Sequence, residues 1–383
     1  MRFLSTSFPS RFRLPSISFS GAGFLGVYHA GVYACLLKHG YLLKPLERVE
    51  EDSKPPILTG VSAGALISAS ISAGVSPDDA MNVVLTVAQR TKDKGGILDV
   101  LSPGFSLIDQ LEDLFVLEMQ KALGGSANSP GDYDNELLLN RIRNGELLHI
   151  GLCDRRKVDF SMVKRDLNSY VYADQYRNIK DITSACILSS YIPVGTGPLL
   201  GESDTKNLAV KRAWKGVKEM EELGFLKHGI TGFPVGDKPT NGDNASKLSQ
   251  EGDDISDDKL RYMDGGLVNM FPVIDDSTVI VAPVNGMYSN PSVAPNVLSI
   301  ENNASDFRSK ALELIQQLKF PTHVEISDRV HIGANAQNLV SLYLMARSSS
   351  PEVLDEKFRD GYDDAERFLD DNNLLTVFTR GAK

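Results

Sequence analysis

"PILTGVSAGALISASISAG", residues 56–74, is the stretch on which the reading of this chain turns. Ile57 to Thr59 reads as a buried strand, and from Ala63 the run of small and apolar residues reads as a helix. Between them lies Gly60-Val61-Ser62-Ala63-Gly64. A strand that turns sharply into a helix leaves its turn residue exposed at the edge of the sheet. Flanking glycines let the backbone take a strained turn without a side-chain clash. The helix that follows points its unpaired N–H groups and the positive end of its dipole at the same spot. A serine placed there has an accessible hydroxyl in a field that favours negative charge, which is how a G-x-S-x-G nucleophile elbow works. Ser62 is therefore the candidate nucleophile, with Gly60 and Gly64 as the supports of its turn.

Upstream, "SISFS" at residues 16–20 alternates as a strand does, and Gly21-Ala22-Gly23-Phe24-Leu25-Gly26 follows before a helix that runs to about His39. The turn matches G-x-G-x-x-G. Dinucleotide binding would want an acidic residue about 20 positions on, at the end of a second strand. Residues 43–50 are charged and lack such a strand, so no nucleotide cofactor is expected. The same geometry binds any anion, because successive N–H groups at a helix N-terminus converge on it. An acyl-transfer intermediate carries an oxyanion, and each donor aimed at it is worth about 3 kcal/mol. Gly21, Ala22 and Gly23 are the candidate oxyanion donors.

A serine hydroxyl needs a base. His323 and His331 come late enough in the chain to complete a Ser–Asp–His triad, but neither has a distinctive setting. The better candidate is Asp264 in "RYMDGGLVNMFP", with apolar residues before it and Gly265 and Gly266 after it. An aspartate before two glycines is frequently a turn residue only, so the residues alone leave both bases open.

The rest of the chain alternates strand-like and helix-like segments, which argues for an α/β sheet with helices on both faces. Residues 146–153 and 157–163 read as paired strands, residues 179–190 as a helix and residues 351–371 as an amphipathic last helix. "SLIDQLEDLFVLEMQKAL" places Leu107, Leu111, Leu114 and Phe115 on one apolar helical face. The 383 residues are 42% hydrophobic and 23% charged, ordinary for a folded chain. A net charge of −10 argues against nucleic acid as a partner. Part of that acidity is local: residues 236–258 hold seven acids and two bases and read as a flexible insertion. Cys35, Cys153 and Cys186 are scattered, which suggests neither a disulfide framework nor a zinc site and fits buried, reduced thiols in an intracellular setting. No run approaches 18 apolar residues, so no membrane-spanning helix is expected. Residues 1–15, with three arginines and no acid, read as a disordered leader or the tail of an organelle transit peptide.

Taken in order, the Gly21–Gly26 turn, the Gly60–Gly64 elbow and Asp264-Gly265-Gly266 resemble the patatin-like phospholipase family. "SFSGAGFLGVYHAGV" is most similar to its adiponutrin and adipose triglyceride lipase branch, and "VSAGAL", "SACILSSYIPV" and "VIVAPVNG" are similar to that branch too. The resemblance runs from about Ile17 to the last helix. It implies a three-layer α/β/α sandwich with a mainly parallel central sheet, as a single domain over residues 16–383. It implies a Ser62–Asp264 dyad that works without histidine, metal or other cofactor. Gly21, Ala22 and Gly23 would form the oxyanion hole, and Gly26, Gly60, Gly64, Gly265 and Gly266 would support the motifs. The implied reaction is hydrolysis of triacylglycerol or glycerophospholipid esters at a membrane or lipid-droplet surface, by a cytoplasmic or peripheral protein. Many members carry a basic residue inside the Gly-rich loop; here Phe24-Leu25 stand in its place, and with Phe105 they are candidates for touching that surface. The insertion at residues 236–258 is not a family feature.

Overall fold

In the computed structural model the described residues are 14, 16–44, 47–49, 55–93, 107–125, 133–155, 169–192, 208–228, 260–295, 323–327, 330–333 and 335–375. The leader up to Arg13, the acidic insertion, Phe105 and the expected strand at 157–163 lie outside them.

β1 (Ser16–Phe19) lies in the interior of the sheet, and all four of its residues are buried. Its alternation does not divide a wet face from a dry one, because helices cover both faces, as they do in parallel sheets. Ser16 Oγ–H satisfies itself on Thr278 Oγ1 at 2.8 Å. β2 (Ile57–Gly60) runs parallel to β1 on one side, and β7 (Val279–Val281) runs parallel to it on the other. β3 (Leu148–Asp154) is parallel to β2. β4 (Tyr170–Ala173) and β5 (Leu226–His228) extend that side antiparallel, and β9 (Ser292–Val293) closes the other side parallel to β7. The result is a three-layer α/β/α sandwich around a mainly parallel sheet. On its other edge β3 pairs with β4.

One irregularity of this sheet positions the site. β2 runs up the first half of one edge of β3, pairing Leu58–Gly60 with Leu148–Ile150. β6 (Tyr262–Asp264) comes down the second half of the same edge, pairing with Asp154–Leu152. β2 and β6 therefore end nose to nose at the level of Gly151. A separation of 202 residues along the chain, from 62 to 264, is closed there in space.

The flanking helices follow the sequence reading closely. They are α1 (Gly26–Lys38), α2 (Ala63–Ala73), α3 (Pro77–Lys92), α4 (Leu107–Ala122), α5 (Asn135–Arg141), α6 (Ile179–Ser189), α7 (Leu208–Glu222), α8 (Ala336–Ala346) and α9 (Pro351–Asp371). α3 starts at a Ser76 cap with Pro77 in its first turn, and the Asp79 N–H donates to Ser76 Oγ at 3.1 Å. The apolar face of α9 packs on α1, where the Tyr28 hydroxyl donates to Asp364 at 2.8 Å. Arg367 pairs with the same carboxylate at 2.6 Å, so the buried charge is matched. The main core is continuous from Leu14 to Leu374. A small antiparallel sheet of β8 (Gly286–Tyr288), β10 (His323–Ser327) and β11 (Val330–Gly333) lies beside it. Cys35, Cys153 and Cys186 are free and buried, and burial pushes their thiols up. Among the described residues no helix is long and apolar enough to cross a membrane.

Candidate active site

Ser62 stands between β2 and α2 with φ 55° and ψ −128°, a backbone conformation that costs a residue other than glycine roughly 1–3 kcal/mol. The sharpness of the turn explains both flanking glycines. A Cβ on Gly64 would lie 2.0 Å from the Phe19 carbonyl oxygen, and one on Gly60 would lie 2.2 Å from the Gly64 carbonyl oxygen. Ser62 is the N-cap of α2, so the positive end of that helix dipole falls on it.

The turn is held by a residue that sequence reasoning passed over. The Ser62 N–H donates to Ser189 Oγ at 2.9 Å, and the Ser189 hydroxyl donates to the Gly151 carbonyl at 2.6 Å. Ser189, the last residue of α6 and fully buried, thus ties the elbow to β3 at the point where β2 and β6 meet. Its only sequence signal was its place in "SACILSSYIPV", which a pattern of small buried residues does not distinguish from packing.

Asp264 ends β6 and is 2% exposed. The Ser62 hydroxyl faces the same cavity and favours the ionised form of its carboxylate. The Gly266 N–H donates to Asp264 Oδ1 at 2.7 Å, which gives the two glycines after it a role: the chain must double back so that the amide reaches the side chain. Gly265 packs on β3, where a Cβ would lie 2.6 Å from the Gly151 carbonyl carbon. Burial pushes the carboxyl up to about 7, against the pull of Gly266 and Ser62 toward the ionised form. A group that titrates there exchanges protons readily near neutral pH.

The Gly-rich turn arrives beside the serine. A Cβ on Gly21 would lie 3.7 Å from Ser62 Cβ, and one on Gly26 would lie 3.5 Å from Ala63 Cβ. Gly23 takes φ +52°, open to glycine. The Gly21 N–H donates to the Met270 carbonyl over a long 3.4 Å, while the Leu25 N–H donates to the Ala22 carbonyl at 2.9 Å. Among the described residues no backbone carbonyl accepts from the N–H groups of Ala22, Gly23 or Ala63, which stand at helix starts beside Ser62. His29, fully buried, anchors this turn from behind: its Nε2–H donates to the Ser20 carbonyl at 2.9 Å, and burial lowers its pKa to about 4. The ring is therefore neutral at physiological pH.

Ser62, Asp264 and the turn line one cavity of about 400 Å³. Its walls are otherwise mostly apolar, from α2, α3 and α4, including Leu66, Ile67, Val83, Val84, Leu111 and Phe115, with Ser70, Glu118 and Ser190 as polar members. The face of α4 read as a packing face from its periodicity is thus in part a cavity wall. Phe24 and Leu25 are 6% and 1% exposed and belong to the interior, with Phe24 lining the cavity. His331 lies in β11 and is not among the cavity residues. His323 lies in β10.

Comparison with known proteins agrees with this geometry. The patatin-like phospholipase family model matches residues 17–276. The chain is 27% identical over 198 residues to patatin-like phospholipase domain-containing protein 2 of Rattus norvegicus, covering 49% of this chain and 38% of that one. It is 22% identical over 373 residues to human 1-acylglycerol-3-phosphate O-acyltransferase PNPLA3, covering 96% of this chain and 53% of that one. The chain therefore spans about half the length of these curated relatives, or less. Among solved structures, VipD from Legionella pneumophila matches over 95% of this chain and 67% of that one, with a TM-score of 0.33 and 16% identity. By the span of the family match, and by the adiponutrin and adipose triglyceride lipase branch from which its curated relatives come, the chain belongs to the patatin-like phospholipase family.

Proposed function

We propose that this chain is a serine lipid acyl hydrolase whose catalytic residues are Ser62 and Asp264. The observation that carries the reading is a nucleophile-elbow serine that shares the wall of a largely apolar cavity with a buried carboxylate, on which it acts electrostatically. In the ionised state Asp264 accepts the Ser62 proton as Oγ bonds to the acyl carbonyl carbon. The carbonyl electron pair moves onto oxygen, where the N–H groups of the Gly21-Ala22-Gly23 turn, chiefly those of Ala22 and Gly23, and of Ala63 receive it. The intermediate collapses, the ester C–O bond breaks, and the alcohol leaves with the proton from Asp264. Water, deprotonated by the same carboxylate, then cleaves the acyl-enzyme and releases the fatty acid. No histidine is needed, because desolvation already lifts Asp264 into the range of a useful base.

The lining of the cavity suits an acyl chain, and with it triacylglycerol or glycerophospholipid esters met at a membrane or lipid-droplet surface. We read the whole unit, residues 16–383, as one hydrolase domain, in keeping with a core that joins Leu14 to Leu374. The test is release of fatty acid from triolein and from phosphatidylcholine by the wild type, Ser62→Ala and Asp264→Ala. Both variants are expected to fold and to lose turnover by at least about a thousandfold. Fatty acid release by Ser62→Ala at the wild-type rate would remove the nucleophile assignment.

A further inference from the structure

α8 buries two polar residues while its larger apolar side chains face outward. Its buried positions carry Ala336, Asn338 and Ser341, 3%, 3% and 8% exposed, while its outward positions carry Leu339, Leu342 and Tyr343, 39%, 52% and 41% exposed. A helix on a water-facing surface normally does the reverse. Hydrogen bonds hold it this way round. Asn338 Nδ2–H donates to the carbonyls of Asn285 at 2.8 Å and Gly333 at 2.6 Å, and Asn338 Oδ1 accepts the Asn285 N–H at 2.8 Å. Asn335 caps the helix through the Asn338 N–H at 2.9 Å and donates to Asn285 Oδ1 at 2.6 Å. An asparagine cluster turned inward fixes the leucines outward. None of the eleven residues of the helix is charged.

The same helix borders the cavity. Met345 and Ala346 line it, and the Met345 carbonyl packs so closely on Gly23 that a Cβ there would lie 2.1 Å away. Leu267, 36% exposed and three residues past Asp264, lines the cavity too. Apolar surface is therefore continuous from the outer stripe of α8 to the wall beside Ser62.

We propose that α8 is the face by which this protein docks on a neutral lipid surface, with Leu339, Leu342 and Tyr343 entering the lipid and Leu267 beside the mouth. The proposal rests on the acyl hydrolase reading of the cavity. A lipid surface fits this patch because the patch leads into the cavity, so that an acyl chain leaving the lipid meets apolar groups along its path. Tyr343, with the Arg347 guanidinium 5.5 Å from its ring centre, adds an amphipathic edge suited to headgroup level. The helix has no lysine or arginine, and the chain carries −10 overall, so apolar burial rather than charge supplies the attraction.

The test is flotation of the full chain carrying Ser62→Ala with phosphatidylcholine vesicles, which reads docking without turnover. Leu339→Ser/Leu342→Ser is expected to lower partitioning by about tenfold or more while the unfolding temperature is preserved. Leu208→Ser removes a 64% exposed leucine from α7 and is expected to change nothing. Raising salt, or adding phosphatidylserine, is expected not to strengthen binding. Unchanged partitioning of a folded double variant would overturn the proposal. So would an equal loss in Leu208→Ser, or light scattering in which the double variant converts a dimer to a monomer while vesicle binding persists. Absence of ester turnover by the unsubstituted chain would instead remove the hydrolase reading and leave the vesicle result standing.

Discussion

Replacing Asp264 by asparagine should make the protein more stable as it makes it inactive, and the gain should depend on pH. The carboxyl titrates at about 7 in the folded chain against an ordinary value of 3.8, because burial disfavours its charge. The folded state thus holds this proton more tightly than the unfolded state does. That preference stabilises the fold in full below pH about 4 and is lost as pH rises to about 7, after which it falls no further. The two values differ by about 3, and at about 1.4 kcal/mol for each pH unit the loss comes to about 4 kcal/mol. The amide side chain of the variant keeps an oxygen for the Gly266 N–H and has no charge to bury. The stability of Asp264→Asn over the wild type should therefore be small near pH 4 and reach about 4 kcal/mol above pH 7. Urea unfolding at several pH values measures it. The single tryptophan, Trp214, is a built-in probe, since its ring centre lies 5.9 Å from that of Tyr262, two residues before the substitution. Wild-type turnover should rise through pH about 7 as the carboxyl ionises, in step with the loss of stability. A stability gap that is the same at about pH 4 and about pH 8 would refute the reasoning, because the carboxyl would then carry no shift.

Two further predictions concern the scaffold of the elbow. Ser189→Ala leaves the Ser62 N–H and the Gly151 carbonyl without their shared partner, so stability should fall by about 2 kcal/mol. Steady-state kinetics should then show kcat reduced by about tenfold or more with KM little changed, since the turn is displaced and the cavity is not. Gly64→Ala should cost about 3 kcal/mol or more in chemical denaturation, because its Cβ meets the backbone of Phe19, whereas Gly26→Ala, with only an ordinary contact to Ala63, should stay within about 1 kcal/mol of wild type.

The parts of the site that were legible in the sequence are those where backbone geometry dictates residue type. The boundaries of β2 and α2 around Ser62, and the doubling back after Asp264, follow from glycines that local chain direction requires. The resemblance then linked segments that no local pattern connects. What stayed illegible depends on neighbours distant in sequence. Ser189 and His29 act through backbone groups of other elements, and nothing beside them in the chain marks this. The pairing of β3 with β4, and of β4 with β5 more than 50 residues further on, has no local signal either. The exposed stripe of α8 carried an ordinary apolar signature, and only the asparagine cluster shows which way it faces.

The meeting of β2 and β6 at Gly151 also orders events in time. Ser62 and its elbow leave the ribosome 202 residues before Asp264 does. At about 5–20 residues per second that interval lasts about 10–40 s. On the proposed reading the nascent chain then holds the nucleophile without its base, and once β3 has followed, an edge of β3 waits for β6. If Ser62 and Asp264 act as proposed, hydrolysis waits until β6 has been synthesised and docked on β3, so the appearance of turnover during translation would report that docking step.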